Sequence, residues 1–189
     1  LAIGELAAAG QRQFGENYVQ EALAKQGELQ DIALEWHMIG PLQSNKCELV
    51  ARHFGWLQSL DREKLVPLLD RARPSSLPPL NVLIEVNIDG ESSKSGCTPD
   101  RIPALAETIM RANRLRLRGL MAIPAPSTEP GTRHAAFARL HGLFESLHAA
   151  YPRVDTLSMG MSDDFESAIA EGATMVRLGT ALFGPRRPR

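Results

Sequence analysis

Residues Leu157–Gly184 read LSMGMSDDFESAIAEGATMVRLGTALFG, and this stretch decides the fold. It predicts a strand end, a loop of small residues, a short helix, a second strand and a second glycine turn. Ser158-Met159-Gly160-Met161-Ser162 and Arg177-Leu178-Gly179-Thr180 both follow strand-like runs and can leave backbone N–H groups open. Two adjacent loops of that kind suit a phosphate. In an eight-stranded α/β barrel, the loops after strands seven and eight are a recurrent phosphate site. A phosphorylated ligand is therefore expected.

Working outward, the pattern repeats towards the N-terminus. Strands are predicted to begin near Arg12, Glu35, Trp56, Leu80, Leu115, Val154 and Thr174, with helices between them. Gly10 ends a first helix. Asn17, Asp61 and Thr98 are read as helix N-caps, with Pro99 at the first helical position. Ser162 or Asp163 is read as the cap of the helix that follows, with Asp163-Asp164 complementing its dipole rather than binding a metal. Near-strict βα alternation implies a parallel sheet covered by helices. An open doubly wound sheet is the rival, but no G-x-G-x-x-G loop is present. The fold class expected is α/β, a (β/α)8 TIM-type barrel over residues 1–184, with a basic tail at 185–189. Seven strands are counted where a closed barrel needs eight, so strand one is expected before Leu1.

Composition narrows the functional classes. The net charge of −1 gives no field for nucleic acid or a membrane surface. No apolar run approaches a membrane span. Two cysteines, Cys47 and Cys97, are too few and too separated for a disulfide framework or a zinc site. They read as reduced thiols of a cytoplasmic protein.

Five blocks then carry a resemblance: Phe14-Gly15-Glu16-Asn17-Tyr18-Val19-Gln20-Glu21, Trp36 to Lys46 (WHMIGPLQSNK), Gly119-Leu120-Met121, Leu157 to Phe165 (LSMGMSDDF) and Val176 to Gly184 (VRLGTALFG). In this order and spacing the chain resembles the pyridoxal phosphate homeostasis protein family, itself similar to the N-terminal barrel of alanine racemase. The resemblance implies pyridoxal 5′-phosphate (PLP) at the C-terminal mouth of the barrel. It places the phosphate on Ser158, Met159, Gly160, Met161, Ser162, Gly179 and Thr180. Arg177 faces the pyridine nitrogen, and an arginine gives up no proton readily, which leaves the ring a weaker electron sink. Asn17 and Asn87 line the pocket, and Met121 and Met161 wall the ring. His37 is read as a satisfied core histidine, and Glu85 as a strand carboxylate in contact with a neighbouring strand.

The family's Schiff-base lysine sits on strand one and is expected upstream of Leu1, absent from this sequence. Lys25, Lys46, Lys64 and Lys94 do not match its position and read as solvated surface lysines. The resemblance implies a protein that buffers PLP and delivers it to apo-enzymes in vitamin B6 homeostasis, a monomer without dedicated turnover. Neither Tyr18 nor Tyr151 is placed as an opposing base. A small PLP-dependent racemase or lyase, and a barrel for another phosphorylated ligand, stand as alternatives.

Overall fold

The computed structural model describes residues 2–91, 94–125 and 130–184; the basic tail expected at 185–189 lies outside the described residues. Helix α1 (Ala2–Ala8) leads into β1 (Gln13–Glu16), α2 (Val19–Glu28) and β2 (Glu35–Met38). Then come α3 (Cys47–His53), β3 (Trp56–Leu60), α4 (Val66–Ala72), β4 (Leu80–Glu85), α5 (Ile102–Met110) and β5 (Leu115–Met121). The chain continues through α6 (Pro130–Ala150), β6 (Thr156–Met161), α7 (Phe165–Ala170), β7 (Met175–Arg177) and α8 (Thr180–Phe183). Short 3₁₀ turns precede α3, α4 and α5.

Among the described residues, all seven strands pair in parallel and in sequence order, as the βα alternation predicts. The sheet curls into a nearly closed barrel. The curl is visible in side chains that meet across the interior: Gln58 of β3 accepts a 2.7 Å hydrogen bond from Ser158 of β6, and its amide lies 3.2 Å from the Met175 sulfur of β7. Strands buried on both faces are typical of parallel sheets, and β3 is buried at every position. The two faces fill differently. Outward side chains such as Leu57, Ile84, Leu120 and Leu157 enter a continuous core beneath the helices. Inward, Trp56, Leu83 and Met121 form a separate small cluster, with Met175 packed against it.

Gly119 marks where the β4–β5 register slips. Its φ is +153°, and a Cβ there would lie 1.7 Å from the Thr156 carbonyl oxygen. The strands can approach only because this residue has no side chain.

Local expectations fare unevenly. Helix α2 opens at Val19 behind Tyr18, and no side-chain cap bond forms, so Asn17 is not its cap. Asp61 caps nothing; a 3₁₀ turn at Glu63–Leu65 starts that helix, and the Asp61 carboxylate takes Arg62 instead. Thr98 precedes a 3₁₀ turn, Pro99–Arg101, without a side-chain cap bond. The cap position of α7 is Asp164, not Ser162 or Asp163, and its carboxylate accepts the Met161 N–H. The larger correction concerns Ser158–Met161, expected as a loop and found inside β6. Small residues here accommodate neighbours rather than a turn. At Gly160, φ +92°, a Cβ would lie 2.5 Å from the Ala168 methyl of α7. Where a second glycine turn was expected, the four residues of α8 form.

Candidate functional site: the C-terminal mouth of the barrel

Parallel strands deliver all their C-terminal ends to one rim, so residues far apart in sequence share a mouth. Asn17 follows β1, Glu85 ends β4 with Asn87 two residues on, Met121 ends β5, Ser158–Met161 close β6, and Arg177 ends β7.

Arg177 organises this rim. The residue as a whole is partly exposed, while its guanidinium is held against Ser158 and Ala122. Nη1 donates to the Ser158 hydroxyl at 2.6 Å and Nη2 to the Ala122 carbonyl at 2.9 Å. Burial pulls its pKa down to about 10, while Glu85 and Asp164 push it back up. It therefore remains a cation at neutral pH.

Ser158 passes the connection downward. Its hydroxyl accepts from Arg177 and donates to Gln58 Oε1. The Gln58 amide group approaches His37 Nδ1 at 3.0 Å, and His37 Nε2 meets Glu35 Oε1 at 3.2 Å. A neutral histidine protonated at Nε2 satisfies both contacts. Burial lowers the His37 pKa against the opposing pull of Glu35, which favours that neutral form. His37 also stacks on Trp56, with ring centroids 5.1 Å apart and planes at 7°. It is thus the satisfied core histidine that the sequence predicts.

The loop after β7 supplies converging donors. The N–H groups of Gly179 and Ala181 both point at the Ser162 hydroxyl, at 3.1 and 3.2 Å. A Cβ on Gly179 would meet nothing within 4 Å. Two backbone donors on one oxygen beside open space form an anion-type cradle. Thr180 begins α8 next to it.

Other expected site residues divide. Met121 is fully buried inside the barrel and Met161 is 37% exposed on the rim. The Met159 side chain points the opposite way, into the core under the helices, as period-two alternation requires once Ser158 faces inward. Asn17 lies at the rim, its backbone against Gly40, where a Cβ would come within 2.2 Å of the Asn17 carbonyl oxygen. Asn87 donates to the Glu91 carbonyl, while its buried Oδ1 has no partner.

Three findings depart from the expectations. Gln58, which joins β2, β3 and β6, was not predicted; a lone glutamine in a buried strand, two residues from Trp56 and so on the same face, was the available signal. Glu85 makes no side-chain hydrogen bond to a neighbouring strand among the described residues, and its Oε2 is buried without a partner. Lys94 is no free surface lysine. Its Nζ is buried without a hydrogen bond, with Glu91 Oε1 at 3.8 Å.

Barrel and mouth together define the class, a barrel of the alanine racemase N-terminal type. The profile of the alanine racemase N-terminal domain family matches residues 1–187. An alanine racemase from Clostridium difficile 630 shares the fold at a TM-score of 0.76 and 14% identity, over 97% of this chain and 47% of that one. Much nearer are the pyridoxal phosphate homeostasis proteins of Pseudomonas aeruginosa, 59% identical over 98% of this chain and 79% of that protein, and of Escherichia coli K12, 53% identical over 98% and 80%. PipY of Synechococcus elongatus, solved with PLP bound, superposes at a TM-score of 0.87 with 39% identity, over 97% of this chain and 86% of that one. The chain belongs to the pyridoxal phosphate homeostasis protein family.

Proposed function

We propose that this chain binds pyridoxal 5′-phosphate at the C-terminal mouth of the barrel and serves as a reservoir that releases it to apo-enzymes. The observation that carries the reading is Arg177. It is a buried cation at the end of the last strand, held by Ser158 and Ala122, with the Gly179–Ala181 N–H cradle beside it. The relatives' name and the PLP-bound PipY structure support the same ligand.

The residues fit the group. The cradle and the side-chain-free face of Gly179 suit a phosphate. Arg177 presents a charge to the ring end, and Met121 and Met161 offer apolar flanks. Asn17 after β1 and the unpaired Oδ1 of Asn87 after β4 offer further polar groups at the mouth. When bound, the cofactor supplies an electrophilic aldehyde and a ring that can withdraw electrons. Arg177 holds its own proton and withholds it from a ring nitrogen, which limits that withdrawal.

On this reading the protein has no dedicated turnover. Among the described residues, His37 is locked to Gln58, Glu35 and Trp56 in the interior, which leaves it no freedom to act as a mobile base. A monomer working in the cytoplasm completes the proposal.

Equilibrium titration with PLP, pyridoxal, and a sugar phosphate tests it. PLP should bind at least about tenfold more tightly than pyridoxal, because the cradle reads the phosphate. Arg177→Gln should weaken PLP by about the same factor. Equal affinity for the sugar phosphate would move the assignment to another phosphorylated ligand. Steady racemisation of alanine by the loaded protein would make it an enzyme.

A further inference from the structure

Two glutamates end strands at the mouth, both nearly inaccessible: Glu16 at 8% exposure and Glu85 at 7%. Glu16 is matched, with Lys25 Nζ at 2.5 Å. Glu85 is not. Its carbonyl accepts the Cys97 N–H, and the next N–H, from Val86, goes to Met121. Its Oε2 is buried without a hydrogen-bond partner, and among the described residues the carboxyl forms no ion pair. Native proteins seldom leave a buried carboxyl unpartnered.

The charges around Glu85 leave this unresolved. Asp61, just beyond β3, repels an ionised carboxylate there. Arg177 on β7 attracts it, but that guanidinium is committed to Ser158 and Ala122 and is also drawn on by Asp164. The Cys97 thiol, on the loop folded back against β4, is pushed up to about 12 by burial and by Asp61, and so stays neutral. Burial first, then Asp61, push the Glu85 carboxyl up to about 7, against Arg177. A protonated carboxyl carries one O–H donor, and among the described residues no hydrogen bond uses it.

We propose that Glu85 is a ligand-contacting residue: its protonated carboxyl donates a hydrogen bond to an acceptor atom of bound PLP, and the ligand is held less tightly once that proton is lost. The proposal rests on the reading of the mouth as a PLP site. The ligand's phosphate, phenolic and aldehyde oxygens are all acceptors, and an ionised Glu85 would face them with like charge. Affinity therefore falls as pH rises through the neutral range.

The test is a PLP titration of the full chain and of Glu85→Gln, from about pH 5.5 to about pH 8.5, read by quenching of tryptophan fluorescence. Glutamine keeps the size and a donor but cannot ionise. The ligand's own titrations act on both proteins, so the ratio of their dissociation constants isolates residue 85. That ratio, wild type over variant, should be near one at the acid end and rise to about tenfold at the alkaline end. Glu85→Leu, which lacks the donor, should bind weakly even in acid. Parallel pH profiles for wild type and Glu85→Gln would overturn the role of Glu85 while leaving the PLP site standing. Failure of both proteins to bind PLP at any pH would sink both readings together.

Discussion

The base and the mouth of this barrel are built from similar residue types and treat them in opposite ways. At the base, Arg118 is tied to both oxygens of Asp155, at 2.9 and 2.8 Å, and to Asn81 at 3.0 Å, with its guanidinium carbon 4.6 Å from the Trp56 ring centroid. His37, Gln58 and Ser158 continue that order upward, and the Trp56 indole N–H is the exception left without a partner. At the mouth, Glu85 and Asn87 keep unpartnered buried oxygens, and Gly179 faces open space. A buried polar group left unmatched costs about 1–3 kcal/mol, so the mouth, with the Glu85 and Asn87 oxygens, carries more of this unfavourable term than the base, where the Trp56 N–H contributes it. The contrast teaches which end is organised for stability and which for a partner, in agreement with the usual division of such barrels.

The sharpest way to break this comparison is at Gly119, where β5 lies close against the backbone of β6. Gly119→Val should destabilise the fold by roughly 4 kcal/mol or more, since any Cβ collides with the Thr156 carbonyl at a φ that side chains avoid. Chemical denaturation checks this. A loss below about 1 kcal/mol would mean that the β5–β6 contact yields easily, and that the base is less rigid than its packing implies.

The next effect belongs to the mouth. Glu85 is raised in the folded state to about 7, above its ordinary value of 4.5. Between those values the folded protein keeps a proton that the unfolded chain has lost. Stability from this group is therefore complete below about pH 4.5, declines as pH rises, and is gone above about pH 7. The full change is about 3 kcal/mol. Glu85→Gln should flatten that limb of a stability-versus-pH curve measured without ligand. An unchanged slope in the variant would place the titration elsewhere.

Much of this contrast could be read in advance, but unequally. The βα alternation and the order of the seven strands follow from period and punctuation, and both are found. Arg177 was visible because a basic residue at a strand's C-terminal end is rarely incidental in a barrel. The Ser158–Met161 segment misled because glycine and serine favour turns locally, while here Gly160 is required by the approach of Ala168, a tertiary contact with no local trace. Asp61 failed as a cap because a 3₁₀ turn at Glu63–Leu65 opens behind Arg62, while Thr98 holds the cap position before Pro99 but makes no side-chain bond. The partners of Gln58 and Glu85 were hidden for a related reason: whether a buried polar side chain finds one depends on strands 100 residues apart, as with Gln58 and Ser158. Arg73 is a further case, binding the Ala51, Phe54 and Pro78 carbonyls and so pinning the proline-rich turn around Pro78.

A smaller effect is expected from Gln58→Leu, which joins the two regions. The substitution strips His37 Nδ1 of its donor and Ser158 of its acceptor in a buried site, at a cost of about 2 kcal/mol. It also frees the Ser158 hydroxyl to rotate away from Arg177, so PLP affinity should fall although residue 58 lies below the mouth. Loss of stability with affinity unchanged would show that Arg177 is positioned by the Ala122 carbonyl alone.

The least costly change should be Ser162→Ala. Its hydroxyl is the acceptor for the Gly179 and Ala181 N–H groups, yet Gly179 itself is exposed, so water can replace the lost oxygen. Stability should drop by less than about 1 kcal/mol. The informative readout is PLP binding. In the ligand-free chain, Ser162 occupies the donors that a phosphate oxygen would use, and removing it releases them. If the cradle holds the phosphate directly, affinity should be kept or slightly improved. If the hydroxyl itself is a phosphate ligand, affinity should fall by about tenfold, and Ser162 would then count among the donors of the mouth rather than as their placeholder.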